Sequence, residues 1–242
     1  MTLFLSPLEA FLHWEKEIPN QTFLLQPNNG KLIRYTYKEA GIEIRKIASK
    51  IQQFGLEKRS HIALLSKNCA HWMMSDIAIM MAGHVSIPIY TSLTAKTIKQ
   101  VLTHSESKAI IVGKLDDYNS IKKGIPNIPI IGVELYDINE EYSWEKIIKE
   151  DFPEIKFKFP KLSDTHTIIY TSGTSGEPKG VIHSVENFVN SLQTIQKIIN
   201  IPKHPRLFSY LPLVHVAERV IWTYGLTIGA QFSYPESLAT FA

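Results

Sequence analysis

Residues 170–181 read YTSGTSGEPKGV, and they follow the apolar run HTIIY at 166–170. The twelve positions hold Gly173, Gly176 and Gly180, the small hydroxyl residues Thr171, Ser172, Thr174 and Ser175, and Lys179. Glycine lets a ligand approach backbone N–H groups because no Cβ stands in the way. The hydroxyls add donors and acceptors, and the lysine adds a mobile positive charge. Together they suit a polyphosphate, which needs many donors and a cation. The spacing is not that of a Walker loop, because Glu177 and Pro178 separate Gly176 from Lys179. It is not the dinucleotide pattern either, since the glycines are three and four apart. An ordinary surface turn is the plain alternative. The ordered Pro178–Lys179–Gly180 behind a buried strand argues against it.

Strand and helix signals alternate on both sides of this loop. TFLLQ (22–26) and KLIRYT (31–36) flank PNNG as a hairpin. The stretch 36–55 places Ile44, Ile47, Ala48, Ile51 and Phe54 on one helical face and stops at Gly55. HIALLS, HVSIPIY, KAIIVG and IPIIGVE read as strands, separated by helices at 68–83, 94–105, 116–124 and 143–150. Asn68 is the expected cap of the first of these, and Gly83 its terminator. Ser6, Pro7 and Glu9 open a helix at the chain start. Beyond the loop come GVIHS, a helix over 185–200, RLFSYLPL, a helix over 216–229 and AQFSY. Short apolar strands alternating with helices predict an α/β fold with mostly parallel sheets flanked by helices. The proline-bearing segment 150–165 reads as a connector. The expected organisation is an N-terminal helix, hairpin and helix over 1–58, an α/β sub-structure over 59–160, and the loop strand with an incomplete second α/β sub-structure over 161–242.

The 242 residues suffice for a sizeable core, with 44% hydrophobic and 20% charged residues. The net charge of +3 is scattered, which argues against a nucleic-acid partner. A single cysteine, Cys69, excludes an internal disulfide and fits the cytoplasm. The most apolar stretch contains Asp76, His84 and Pro88, so no transmembrane segment is expected, with peripheral membrane contact left open. No zinc-binding spacing and no Gly-x-Ser-x-Gly elbow occurs.

The loop resembles the phosphate-binding signature of the adenylate-forming (AMP-binding) superfamily, and YLPLVHVAERV (210–220) is similar to its long-chain fatty acyl-CoA synthetase branch. The resemblance runs over roughly residues 20 to 240. It implies the N-terminal part of that superfamily's large domain. It also implies ATP and Mg²⁺ as nucleotide and ion, a fatty acid as substrate and CoA as cosubstrate. Thr171, Ser172, Gly173, Thr174, Ser175, Gly176 and Lys179 would hold the phosphates, with no metal ligand among the side chains. His215 would stand at the carboxylate as the catalytic candidate. Glu218 and Arg219 would form a structural ion pair, and Trp222, Tyr224 and Gly225 would line an acyl tunnel.

Three positions depart from the superfamily's pattern: Ser175 replaces a second Thr, Val185 stands where a His is common, and His71 replaces a Glu. The later adenine, ribose and C-terminal-domain motifs do not follow, so the chain reads as an N-terminal fragment unable to complete turnover. An unfinished sheet edge would favour self-association. The alternatives are another carboxylic acid substrate, a carrier-protein thiol as acceptor, or a non-catalytic module.

Overall fold

The computed structural model describes residues 6–172, 178–199 and 201–237. Ser6 caps α1 (Pro7–Glu17), its hydroxyl accepting the Glu9 N–H at 3.1 Å. Strands β1 (Thr22–Asn28) and β2 (Lys31–Thr36) pair antiparallel through Asn29 and Gly30, both at positive φ (50° and 71°). A two-residue turn of that hand matches the twist of the strands it joins. Thr36 then caps α2 (Tyr37–Gln53) in a full capping box with Glu39. Ile44, Ile47 and Ile51 are fully buried along its inner face. Each such side chain contributes about 1.5–3 kcal/mol of hydrophobic stabilisation.

Strand β3 (His61–Leu65) leads to α3 (Ala70–Met81), every residue of which is buried. A helix apolar on all faces needs partners on all faces. This one finds them in β1, β3, β4 (Val85–Ile89), α1 and α2. Then follow α4 (Ala95–His104), β5 (Ala109–Val112), α5 (Tyr118–Lys122), β6 (Ile130–Gly132), a 3-10 turn at Glu134–Tyr136, β7 (Tyr142–Ser143) and α6 (Trp144–Ile147). The segment 151–161 carries no regular structure, as the sequence predicts for the connector.

Beyond it, β8 (Thr165–Ser172) and β9 (Pro178–Ser184) form an antiparallel pair, followed by α7 (Val185–Ile198), β10 (Arg206–Phe208), α8 (Val216–Thr227) and β11 (Gln231–Ser233). Seven strands make one sheet in the order β7-β6-β5-β3-β4-β8-β9, parallel except at β8–β9. Four make the second, β10-β11-β1-β2. Each sheet therefore takes strands from both sides of the connector, and α3 lies against strands of both. The mostly parallel α/β architecture expected from the sequence is the one observed.

One expectation fails at α3. Cys69, not Asn68, occupies the cap position, and its side chain makes no capping bond; Gln26 of β1 instead accepts the Ala70 N–H at 2.9 Å. Asn68 is used elsewhere.

Candidate functional site

In parallel sheets, ligands gather outside the carboxyl ends of the strands. Here β3, β4 and β8 end together. Ser86 on β4 stands opposite Thr167 on β8, and four residues further along both segments Tyr90 comes toward Thr171. Across the hairpin, Thr171 faces Lys179 and Ser172 faces Pro178. Thr171 and Lys179 are exposed at this rim. Gly173, Thr174, Ser175 and Gly176 lie outside the described residues, as does the side chain of Ser172.

His215 reaches the same rim from the other direction. It is the N-cap of α8, exposed, with its ring edge-on to Tyr90 at 5.1 Å between centroids. The Tyr90 hydroxyl lies 2.9 Å from His215 Nδ1 and 3.3 Å from Nε2. Partial burial raises the Tyr90 phenol above its ordinary pKa, so it stays protonated and can donate to the imidazole. Sequence reasoning missed Tyr90. Its signal was available: it is the polar residue that ends the apolar strand VSIPI.

The chain before His215 is held by Asn68. Its amide donates to Ser209 Oγ (3.0 Å) and to the Leu211 carbonyl (2.6 Å) and accepts the Leu213 N–H (2.9 Å). Ser209 in turn donates to Glu218 Oε1 at 2.6 Å. Glu218 is nearly fully buried, and desolvation raises its carboxyl pKa. Between Asn68, Tyr90, Lys114, Tyr210 and Leu213 lies a cavity of ≈ 290 Å³. Lys114 reaches from β5's end to the backbone of Glu236 at its mouth.

The expected Glu218–Arg219 pair does not form. Adjacent residues on a helix do not face each other, and Arg219 instead binds Asp76 of α3 at 2.9 and 3.0 Å. Trp222, Tyr224 and Gly225 belong to the core rather than to this cavity. Trp222 packs edge-on to Trp72, Tyr224 lies with Leu192 and Ile228, and Gly225 faces Leu207 and Phe232. His71, where the pattern has Glu, is buried against Tyr35, Tyr136 and Trp144.

His215 at the N-cap position of α8 and the exposed Thr171 and Lys179 of the β8–β9 pair thus lie toward the same end of the seven-stranded sheet. The chain belongs to the AMP-binding enzyme family, whose model matches residues 11–242. Among curated relatives, it is 29% identical to long chain acyl-CoA synthetase 2 of Arabidopsis thaliana, over 95% of this chain and 38% of that protein. It is 26% identical to the chloroplastic long-chain-fatty-acid–[acyl-carrier-protein] ligase AEE15 of the same plant, over 87% and 32%. The chain thus spans about a third of these relatives' length. In fold it matches the N-terminal domain of FACL13 from Mycobacterium tuberculosis, with a TM-score of 0.79 at 21% identity over 96% of this chain and 57% of that one. It also matches the AMP-bound O-succinylbenzoate coenzyme A synthetase of Bacillus subtilis, with a TM-score of 0.75 at 17% identity, over 95% and 56%.

Proposed function

We propose that the chain is part of an ATP-dependent long-chain fatty acid–CoA ligase, and that its β8–β9 loop and His215 serve the adenylation step. What supports this is the Tyr90–His215 hydrogen bond beside the end of β8, where the Ser86–Thr167 pairing, continued four residues along both segments, brings Tyr90 toward Thr171. In the first step a carboxylate oxygen attacks the α-phosphorus of ATP. A new O–P bond forms as the bond to pyrophosphate breaks. Charge then moves onto the leaving pyrophosphate, and fixed N–H dipoles and cations that neutralise it lower the barrier. Thr171, Ser172, Gly173, Thr174, Ser175, Gly176 and Lys179 would hold the β- and γ-phosphates. The exposed Thr171 hydroxyl and Lys179 ammonium at the rim fit that task. Mg²⁺ would add charge neutralisation on the phosphates, and the loop's hydroxyls are hard oxygen donors of the kind it accepts. His215, held by Tyr90, would orient the fatty carboxylate beside the loop. In the second step the CoA thiol sulfur attacks the acyl carbonyl and AMP departs.

Relatives of about threefold length suggest that the 242 residues bind nucleotide without completing turnover. The outer strand β9 exposes Val181 and Ile182 (65% for the latter). Self-association of the 242-residue chain through that edge is part of the reading, and a clean monomer on gel filtration at high concentration removes it. Cytoplasmic placement rests on the lone cysteine. Among the described residues no helix is long and apolar enough to cross a membrane.

The test has two arms. Calorimetry of Mg·ATP and of pyrophosphate compares the chain with a Thr174→Ala/Lys179→Ala variant, and binding lost in the variant is expected. Fatty-acid-dependent ATP–pyrophosphate exchange is then measured on the full-length protein. Exchange that no fatty acid stimulates overturns the reading. The AEE15 relative favours one alternative, a carrier-protein thiol as acceptor. Adding CoA or acyl carrier protein to the same assay separates the two.

A further inference from the structure

Helix α8 starts at His215, and its first turn is fixed from two elements far away in the chain. The Arg219 N–H bonds to the His215 carbonyl at 3.1 Å, so both residues move as one helical turn. The Arg219 side chain is fully buried, as is that of Asp76. One guanidinium nitrogen, Nη2, donates to Asp76 Oδ1 and Oδ2 (3.0 and 2.9 Å) and lies 3.0 Å from His166 Nε2. The guanidinium carbon sits 5.2 Å from the Trp72 ring centroid and 5.9 Å from that of Phe188. His166 belongs to β8, five residues before Thr171. Asp76 lies in the middle of the fully buried α3. One cation therefore ties the helix that presents His215 both to the central helix and to the strand that launches the glycine-rich loop.

Stability alone is a weak reason for such a group. A buried ion pair costs much of its attraction in lost hydration, and apolar residues of similar volume often stabilise a core as well. What the charged group supplies is one position. The three contacts converge on Nη2, with Nε and Nη1 unpartnered among the described residues, so they fix where that end of the side chain sits between Asp76 and His166, whereas an apolar side chain slides. The imidazole must be neutral to accept this hydrogen bond. Burial and the adjacent Arg219 hold its pKa down to about 3, so it remains neutral across the physiological range.

We propose that Arg219, held by Asp76 and His166, is a positioning residue that sets His215 against Tyr90, at the rim where β8 ends, by fixing the first turn of α8. The proposal rests on the adenylation reading for its consequence in catalysis, but its geometry can be tested without activity. In a Asp76→Leu/Arg219→Met double variant both charges leave together, so neither is stranded. Histidine-ring NMR of the 242-residue chain would follow His215 and its contact with the Tyr90 ring, while a melting curve reports folding. The expected result is a folded variant in which the His215 ring signals move and the Tyr90 contact weakens by at least half. In the full-length protein kcat should fall at least tenfold, with KM for Mg·ATP within twofold. A folded double variant with unchanged His215 signals overturns the proposal. If that variant does not fold, His166 decides: His166→Leu removes the acceptor and should move the His215 signals, whereas His166→Gln keeps one and should restore them. Equal spectra from the two also overturn it. A wild-type enzyme without fatty-acid-dependent exchange would remove the adenylation reading and leave the NMR result standing.

Discussion

Tyr170 stands directly opposite Gly180 across the β8–β9 pairing, and its ring occupies the space a side chain at 180 would need. A Cβ there would sit 2.9 Å from Ile168 Cγ2 and 3.1 Å from Tyr170 Cζ. The ring is anchored further by its hydroxyl, 2.8 Å from His104 Nδ1 on α4. The last glycine of the loop sequence thus has a packing role, distinct from the phosphate contacts proposed for its neighbours. Gly180→Ala should destabilise the fold by about 1–3 kcal/mol, the usual cost of overpacking. In a Tyr170→Leu background, which itself loses the His104 contact, the same Gly180→Ala change should cost clearly less in urea melts. An undiminished cost would mean that the tyrosine ring is not what Gly180 accommodates.

The Tyr90–His215 hydrogen bond gives a sharper test of the rim. Tyr90→Phe keeps the ring and removes only the donor. A neutral hydrogen bond is worth about 0.5–1.5 kcal/mol net, so fatty-acid-dependent exchange in the full-length protein should fall about three- to tenfold. Mg·ATP binding should hold. A fall in nucleotide affinity with the exchange rate intact would place Tyr90 on the phosphate side instead.

Asn68 makes three hydrogen bonds to the 209–213 segment, 141 to 145 residues away. Asn68→Ala leaves the Leu213 N–H without that acceptor, and the expected loss is about 1–3 kcal/mol for an unsatisfied buried group. Hydrogen exchange should quicken locally at 209–215 while α2 and α3 stay protected. Uniform quickening across the molecule would show that Asn68 supports the whole core rather than this segment.

Legibility from sequence tracked the range of the interaction involved. The Asn29–Gly30 turn, the helical face of α2 and the helix stop at Gly55 depend on neighbours a few residues away, and all were readable; the Thr36–Glu39 capping box, equally local, was missed. Asn68 resembles a cap in sequence because caps are local. Its amide is instead spent on a segment that tertiary folding brings near. Arg219 has Glu218 beside it in sequence, yet its partner is Asp76, 143 residues earlier. That choice follows from α3 being buried on every face, which leaves Asp76 no water to ionise in. Trp222, Tyr224 and Gly225 suit a core by helical spacing and a tunnel only by the resemblance, and the packing of Trp72, Leu192 and Phe232 places them in the core. The rim itself was half readable: the loop announced its chemistry, but Tyr90 needed the strand register.

Acid should destabilise the fold through its buried histidines, of which His71 and His166 are the most strongly shifted among the described residues and His84 shifts in the same direction. Burial pushes the ring pKa of His71 and of His166 down to about 3 from an ordinary value of 6.5. The folded state therefore lacks protons that the unfolded chain binds once the pH drops below 6.5. Their contribution to stability is fully present above 6.5 and is lost as the pH falls toward 3. Across the middle of that window each histidine adds a slope of about 1.4 kcal/mol per pH unit. The raised carboxyls of Glu43 and Glu218 work in the opposite sense, but they are common to wild type and variant and largely cancel in the comparison. His71→Phe removes one of these titrations and leaves the others common to both proteins. The lost Tyr136 hydrogen bond (3.1 Å) lowers stability by an amount that does not vary with pH over this range. Urea melts at intervals from pH 6.5 to 4.5 should therefore show a shallower slope for the variant, by about 1 kcal/mol per pH unit. Parallel slopes would mean that the His71 ring is protonated in the folded state, which its place among Tyr35, Tyr136 and Trp144 could not accommodate without opening α3.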